Sequence, residues 1–369
     1  MKLAIVRQTY TPFGGAERFV AQAIEALRTQ QVQVEVIART WNKEAGGIRC
    51  NPIYLGRTWR DWGFSRCVQD VIASGRYDLV QSHERIPGCH IFRAGDGVHA
   101  TWLELSGKPW RFSPWHRYTL AAEAAMFRHP ALRAVICNSQ MVAKDIAHRW
   151  PETANKIAVI YNGVDLERFH PGLRTEFRAT FRATVGADRT ARVILFVGSG
   201  YARKGAARLI EALVHLPKET EAWIVGRDKD EGRYRTLAAR LGIAGRVRFF
   251  GAQTDVRPYF GAADLFCLPT LYDPLPNASL EALACGLPVV TTPHCGAAEL
   301  LTPDINGALV PATAPGSLWA PVLERMLVRA TEPDTPASAR AAVAAHDFAT
   351  MAGKLLALYA SLGIAAVPV

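Results

Sequence analysis

Asp273 and Glu281 stand eight residues apart in Asp-Pro-Leu-Pro-Asn-Ala-Ser-Leu-Glu, with four residues of turn chemistry between the first acid and a helical pattern that carries the second. The Asn277-Ala-Ser279 segment offers side chains that cap a helix start. Free backbone N–H groups of that first turn, worth roughly half a positive charge together, would face an anion held between the two acids. A sugar nucleotide suits this spacing. One carboxylate would meet the sugar, the other the ribose, and the diphosphate would sit at the helix start. Pro274 and Pro276 fix the backbone close to the sugar, so the amides around Leu275 and Asn277 can bind its hydroxyls.

A second signature lies upstream. The apolar run Val193-Ile-Leu-Phe-Val197 enters Gly198-Ser-Gly200-Tyr-Ala-Arg203-Lys204-Gly205 and then the helical pattern Arg208 to Leu213. Strand, glycines, basic pair and helix make a phosphate-binding connection. The glycines permit a tight turn, Arg203 can fork onto phosphate oxygens, and Lys204 adds a mobile point charge.

Weaker candidates surround these two. Gly14-Gly15 follows the first strand and precedes a helical pattern, where a residue without Cβ allows close approach of backbone to ligand. Asp96 and His99 lie on a loop after the short strand His90 to Arg93; either can orient or deprotonate an acceptor hydroxyl, the imidazole because it titrates near neutral pH, the alternative for each being a structural role such as a turn cap at Asp96. Asn162, beside Gly163, can hydrogen-bond a sugar hydroxyl or cap its turn, and Glu299 can close a pocket or cap its own helix. Asp228-Lys229-Asp230 resembles a metal-binding Asp-x-Asp, but Arg227, Lys229 and Arg233 crowd it, so it reads as a solvated helix start and no metal is expected.

The elements that position these residues alternate throughout. Strand patterns at 2–7, 32–37, 79–82 and 134–137 are separated by helical patterns at 16–29, 66–74 and 118–127, giving a doubly wound sheet. The alternation restarts at 193–197 and continues through 222–225, 247–250, 264–268 and 288–291, a second such sheet. Residues 162–172, with Gly163, Pro171 and Gly172, form the linker. The expected division is an acceptor-binding domain over 1–168, a donor-binding domain over 169–345 and a helix over 346–369 that crosses back to the first. The ligand would lie where both sheets present their C-terminal edges.

Taken together these motifs resemble the retaining glycosyltransferases of family 4. Four segments carry the resemblance in order: Phe13-Gly-Gly-Ala-Glu-Arg18, Val159-Ile-Tyr-Asn-Gly-Val-Asp165, Arg203-Lys204 with Asp273-x7-Glu281, and Cys285-Gly-Leu-Pro288. Pro12-Phe-Gly-Gly15, Ala94-Gly-Asp96 and Gly198-Ser-x-x-x-Arg203-Lys204-Gly205 are most similar to the lipopolysaccharide core glucosyltransferases. The resemblance implies the GT-B fold, two Rossmann-like domains facing a central cleft. It implies donor contacts from Gly14, Gly15, Asn162, Gly198, Arg203, Lys204, Glu281 and the Pro274 to Asn277 loop, with Asp96, His99 and Asp273 at the reacting centre. The reaction implied is retaining transfer of a hexose, glucose from UDP-glucose by first expectation, onto a lipid-linked acceptor such as the lipopolysaccharide inner core. No cofactor beyond the nucleotide sugar is implied. The family usually places Glu where Asp273 stands, shorter here by one methylene, which leaves UDP-N-acetylglucosamine, UDP-galactose, ADP-heptose and mannosyl donors in play. A non-catalytic relative would lose the donor contacts that are kept here. A nicotinamide oxidoreductase is excluded, because Arg203-Lys204 stand where the third glycine of its fingerprint belongs.

Composition fits a two-domain enzyme: 369 residues, 49% hydrophobic, net charge +10. The charge is uneven, with 22 Lys/Arg against 15 Asp/Glu in residues 1–168 and 21 against 18 in the remainder. Residues 100–133 combine Trp102, Trp110, Phe112, Trp115, Tyr118 and Phe127 with Lys108, Arg111, Arg117, Arg128 and Arg133. That mixture predicts an anionic membrane surface as a partner, the alternative being tryptophans in the core and arginines on a solvated face. Nucleic acid is not expected, since no binding motif accompanies the charge. Seven cysteines without a Cys-x-x-Cys pair read as buried thiols in a reducing compartment. The early apolar run stops at Arg7 and reads as a strand, and no run approaches the roughly 20 residues that span a bilayer. The expected place is the cytoplasm, peripheral on the inner membrane face.

Overall fold

Short buried strands fix the architecture. The computed structural model describes residues 2–9, 33–40, 47–107 and 109–363, and the chain divides into two compact units, 1–163 with 348–369, and 164–347.

In the first unit the order is β1 (Lys2–Val6), β2 (Gln33–Ala38), β3 (Gly47–Arg49), α1 (Gly56–Ala73), β4 (Leu79–Ser82), β5 (Ile91–Arg93), α2 (His99–Ser106), α3 (Pro114–Phe127), β6 (Ala134–Cys137), α4 (Gln140–Arg149) and β7 (Ile157–Val159). Among its described residues seven strands, all parallel, lie in the order β3-β2-β1-β4-β5-β6-β7. In the second unit follow α5 (Leu173–Thr184), β8 (Arg192–Val197), α6 (Tyr201–Lys204), α7 (Ala206–Leu213), β9 (Thr220–Val225), α8 (Glu231–Arg240), β10 (Val247–Gly251), α9 (Arg257–Ala262), β11 (Leu265–Cys267), α10 (Asn277–Ala284), β12 (Val289–Thr291), β13 (Gly307–Leu309), α11 (Gly316–Arg329) and α12 (Thr335–Ala341). Six parallel strands form its sheet, in the order β10-β9-β8-β11-β12-β13.

Strands covered on both faces must be apolar throughout, and Val193 to Phe196 and Ala222 to Val225 are buried without a break. Strand order reverses beside β1 and β4 in one sheet and beside β8 and β11 in the other. At such switch points the connections leaving the C-terminal edge part to opposite sides and open a crevice for a ligand. Arg203-Lys204 follow β8 and Asp273 follows β11, so the second sheet places both signatures at its own switch point.

The last helix, α13 (Phe348–Ser361), belongs to the first unit. Its Met351, Leu355 and Tyr359 are buried with Leu3, Ile5, Leu79, Ile91 and Ile136. The Tyr359 hydroxyl donates to Gln81 Oε1, which satisfies a polar atom at the centre of that cluster. Where the chain enters and leaves the second unit, the N–H of Val164 donates to the His346 carbonyl at 2.8 Å. Gly163 suits its place because a Cβ there would meet Phe348 Cδ1 at 2.5 Å.

Two expectations are corrected. Helix α1 begins at Gly56, ten residues before the predicted start at Arg66; Leu55 at its N-cap offers no side-chain cap and the first turn has no acid, so the usual start signals are missing. The cysteines are not all thiols: Cys50 and Cys67 form a disulfide, while Cys89, Cys137, Cys267, Cys285 and Cys295 are free and buried.

Candidate functional site

Glycine geometry sets the basic pair. Gly205, in the left-handed region with φ +78°, separates the short α6 from α7, and a Cβ there would lie 1.9 Å from the Pro269 carbonyl oxygen. Arg203 and Lys204 are therefore the last residues before a turn that only glycine fits. The Lys204 stem then runs over Gly198, whose absent Cβ would lie 3.1 Å from Lys204 Cδ and Cε. Backbone contacts fix the other end: the Arg203 carbonyl accepts from the Leu271 N–H at 2.8 Å and from Thr270 Oγ1 at 3.1 Å, and Thr270 in turn accepts from Thr292 Oγ1.

Asp273 meets both cations. Its Oδ2 lies 2.8 Å from Lys204 Nζ and 3.0 Å from Arg203 Nη1, and the same guanidinium nitrogen donates to the Tyr272 carbonyl. The Asp273 N–H donates to the His294 carbonyl and its own carbonyl accepts from the Gly296 N–H, so the loop is held as an edge against 294–296. Burial would raise this carboxyl, but Lys204 and Arg203 outweigh it and hold Asp273 below the ordinary aspartate range. The acid is thus an ionised anion on the two groups expected to grip a diphosphate, besides the sugar-facing role assigned to it above.

Glu281 is buried on α10, and Pro274, Leu275 and Pro276 before it are buried as well. The expected cap is absent: α10 begins at Asn277 itself, Pro276 occupies the N-cap position and no side chain caps the helix. Ser279 lies inside the helix with its Oγ buried and without a hydrogen-bond partner. Glu299, exposed, lies on a single turn over Gly296–Leu300 that has no side-chain cap either.

Asp228 has a role that its position in Asp-x-Asp hid. Its carboxylate accepts from the N–H of Tyr201 at 2.6 Å and of Asp230 at 2.8 Å, so it anchors the first residue of the helix that carries Arg203 and Lys204. Tyr201 is fully buried and donates its hydroxyl to the Gly226 carbonyl. Helix α8 starts just beyond, at Glu231, as the charge pattern suggested. Among the described residues no group of three or more His, Cys, Asp or Glu is placed to hold a metal ion.

The other candidates in the first unit follow β5 and β7. Asp96 is exposed on the loop after β5. Arg93, buried at the end of β5, donates Nη2 to Asn162 Oδ1 at 2.7 Å, so an arginine holds the Asn162 amide oxygen. Burial and then Arg7 push Arg93 down to about 9. Arg85 is held by Glu123 Oε1 at 2.7 Å and the Gly97 carbonyl at 2.9 Å, which fixes the Asp96 loop from behind.

His99 is corrected most sharply. It is buried, stacked on Trp102 and His116, edge-on to Trp115, and its Nε2 lies 3.1 Å from His116 Nδ1. Burial, Arg85, His116 and Arg57 push it down to about 3, so it does not titrate near neutral pH and is a poor proton acceptor. Gly14 and Gly15 lie outside the described residues, as do the helix expected over 16–29 and Lys108.

The aromatic stretch 100–133 is mixed. Phe127 is fully buried, Trp102, Trp110, Trp115 and Tyr118 are partly covered, and Phe112 alone among its large aromatics is widely exposed. Among the described residues no helix is long and apolar enough to cross a membrane.

Residues 13–168 match the family model described as Glycosyltransferase Family 4, and residues 191–326 match the one described as Glycosyl transferases group 1. The lipopolysaccharide glucosyltransferase WaaG of Escherichia coli (strain K12) is 26% identical over 319 residues, 84% of this chain and 85% of the relative. The crystal structure of WaaG, a glycosyltransferase involved in lipopolysaccharide biosynthesis, superposes with a TM-score of 0.83 at 24% identity, covering 96% of this chain and 98% of that one. Anabaena Alr3699/HepE in complex with UDP-glucose superposes with a TM-score of 0.76 at 22% identity, covering 98% and 100%. These likenesses identify the fold as GT-B.

Proposed function

Because the chain belongs to the family 4 glycosyltransferases, related to the lipopolysaccharide core glucosyltransferases, we propose that it transfers a hexose, glucose from UDP-glucose, onto a lipid-linked saccharide such as the lipopolysaccharide inner core, with retention at the anomeric carbon. The observation that carries the reading is the convergence of Arg203, Lys204 and Asp273 at the switch point of the second sheet. Two cations, one mobile and one forked, stand there against the loop that leads into α10, and together they can neutralise a departing nucleoside diphosphate.

In this reading the diphosphate displaces the Asp273 carboxylate from Arg203 and Lys204, and the freed acid turns to the sugar hydroxyls. Glu281 takes the ribose. The acceptor oxygen attacks from the face the diphosphate leaves, through an oxocarbenium-like state, and the leaving phosphate takes the acceptor's proton. No side chain acts as nucleophile, and a metal is dispensable because Arg203 and Lys204 neutralise the leaving group. Asp96, exposed beside the Arg85-held loop, orients the acceptor hydroxyl; His99 supports that loop by packing. Glucose as the sugar is supported by two similar proteins, a lipopolysaccharide glucosyltransferase and a structure in complex with UDP-glucose.

The test is a panel of nucleotide sugars titrated in EDTA, following thermal shift and slow donor hydrolysis in wild type and Lys204→Ala. Stabilisation by UDP-glucose that the variant loses is expected. Stabilisation by a different sugar nucleotide would replace the donor, and a requirement for divalent metal would overturn the metal-free site.

A further inference from the structure

Among the described residues, six of the most exposed large hydrophobic side chains fall in one neighbourhood of the first unit. Ile53 is 95% exposed, Leu55 80%, Trp59 51%, Trp62 49%, Tyr54 46% and Phe112 90%. Scattered single residues would need no explanation, but a contiguous set this large marks an interaction surface. The segment is also rigidly held. The Cys50–Cys67 disulfide closes the loop that carries it. Arg39 donates twice to Asn51 Oδ1 and lies over the Tyr54 ring at 4.4 Å, and Pro52 packs against Gly63 of α1. Arg57 covers the Trp115 ring at 3.3 Å, while Trp115 Nε1 and the Tyr118 hydroxyl bond to Asp61, which joins this edge of α1 to α3 just after Phe112. Apolar side chains are therefore presented to solvent by a scaffold that prevents their collapse.

Charge selects the occupant. Arg57 and Arg66 on α1 and Arg111 beside Phe112 are exposed. The acid amid them, Asp61, is mostly covered and taken up by Gln8, Arg60 and Trp115. A second copy of this face would set arginine against arginine across a two-fold interface. Anionic headgroups would meet the arginines while the aliphatic tips enter the acyl boundary and the tryptophans lie at headgroup level. We propose that residues 53–62 with Phe112 form the surface by which the protein docks on an anionic bilayer. This rests on the reading of a lipid-linked acceptor, and it narrows the contact within 100–133 to Phe112 while adding the start of α1.

The experiment is sedimentation with vesicles of phosphatidylethanolamine and phosphatidylglycerol, against vesicles of phosphatidylcholine, for wild type and for Ile53→Ser/Leu55→Ser. Wild type is expected to bind the anionic vesicles and to release as salt rises. The double variant is expected to partition at least about tenfold more weakly, each removed side chain forfeiting burial, with donor hydrolysis and melting temperature unchanged. Quenching of tryptophan fluorescence by brominated lipid, diminished in Trp59→Phe/Trp62→Phe, supports the same contact. Vesicle binding that survives the double variant overturns the proposal. So does self-association in the absence of lipid that the variant abolishes, which would make a second copy the occupant. Donor hydrolysis without vesicle binding by wild type removes this surface and leaves the transferase reading; vesicle binding lost in the variant, in a protein that hydrolyses no donor, does the reverse.

Discussion

Lys204 and Asp273 form an ion pair of 2.8 Å, and Arg203 joins it at 3.0 Å, so one carboxylate engages both members of the basic pair. The basic pair follows β8 and the acid follows the neighbouring β11, and a diphosphate bound as proposed would compete with Asp273 for the same cations.

That competition has a measurable sign. Asp273→Asn removes the resident anion and leaves Lys204 largely buried without its charge partner, so UDP binding by calorimetry is expected to strengthen roughly tenfold, while sugar transfer falls. Lys204→Ala weakens UDP binding instead. A weaker UDP affinity in Asp273→Asn would show that the acid orders the cations more than it competes for them.

Asp264 carries a heavier structural load. Its oxygens lie 3.2, 2.7 and 2.8 Å from Arg174, Arg178 and Arg182 of α5, and Arg182 is fully buried. Burial would raise the Asp264 carboxyl, but Arg178 and Arg182 hold it low. Its folded value lies below its unfolded one, so the stability it confers is complete above the ordinary aspartate range and is lost as pH falls through the folded value. Asp264→Asn is expected to cost on the order of 3 kcal/mol, because three guanidinium groups lose their common anion, read by calorimetry at pH 7. An unchanged melting temperature would refute the assignment.

His99 gives the opposite kind of pH dependence from the one its residue type suggests. Pushed down to about 3 from an ordinary 6.5, it stays neutral in the fold and charges on unfolding. Stability linked to it is complete above pH 6.5 and drains away as pH falls toward 3. His99→Phe keeps a ring against Trp102 and Trp115 but cannot titrate. The drop in melting temperature between pH 7 and pH 5 should shrink in that variant, and the activity profile should keep its shape.

Thiol counting tests the disulfide directly. Five cysteines are expected to titrate in denaturant without reductant and all seven after reduction. Seven before reduction would return Cys50 and Cys67 to the thiols.

Much of this was legible because parallel strands buried on both faces must be continuous apolar runs; β8 and β9 announce themselves that way. Three-residue strands such as β3 and β13 carry no such signal, and α1 starts without a cap. Arg203, Lys204, Asp273 and Glu281 were marked by type and spacing, and the sheet reversal accounts for their place. Their mutual pairing was not legible, since Asp273 follows a different strand 69 residues along the chain from Lys204. His99 misled because its residue type is visible while its burial and the cations around it are not. Arg182 carried no sequence signal of its role, since an arginine in an amphipathic helix ordinarily faces water and this one threads inward to carbonyls and Asp264.

Helix α13 has a consequence for how the chain is made. Leu3, Ile5 and Leu79 leave the ribosome early, yet the side chains that complete their cluster, Met351, Leu355 and Tyr359, leave it only after the whole second unit. The second unit is one unbroken stretch whose ends meet at Val164 and His346. During synthesis the later unit can therefore finish while the earlier one still waits with an open apolar face, and the order of completion is the reverse of the order of translation.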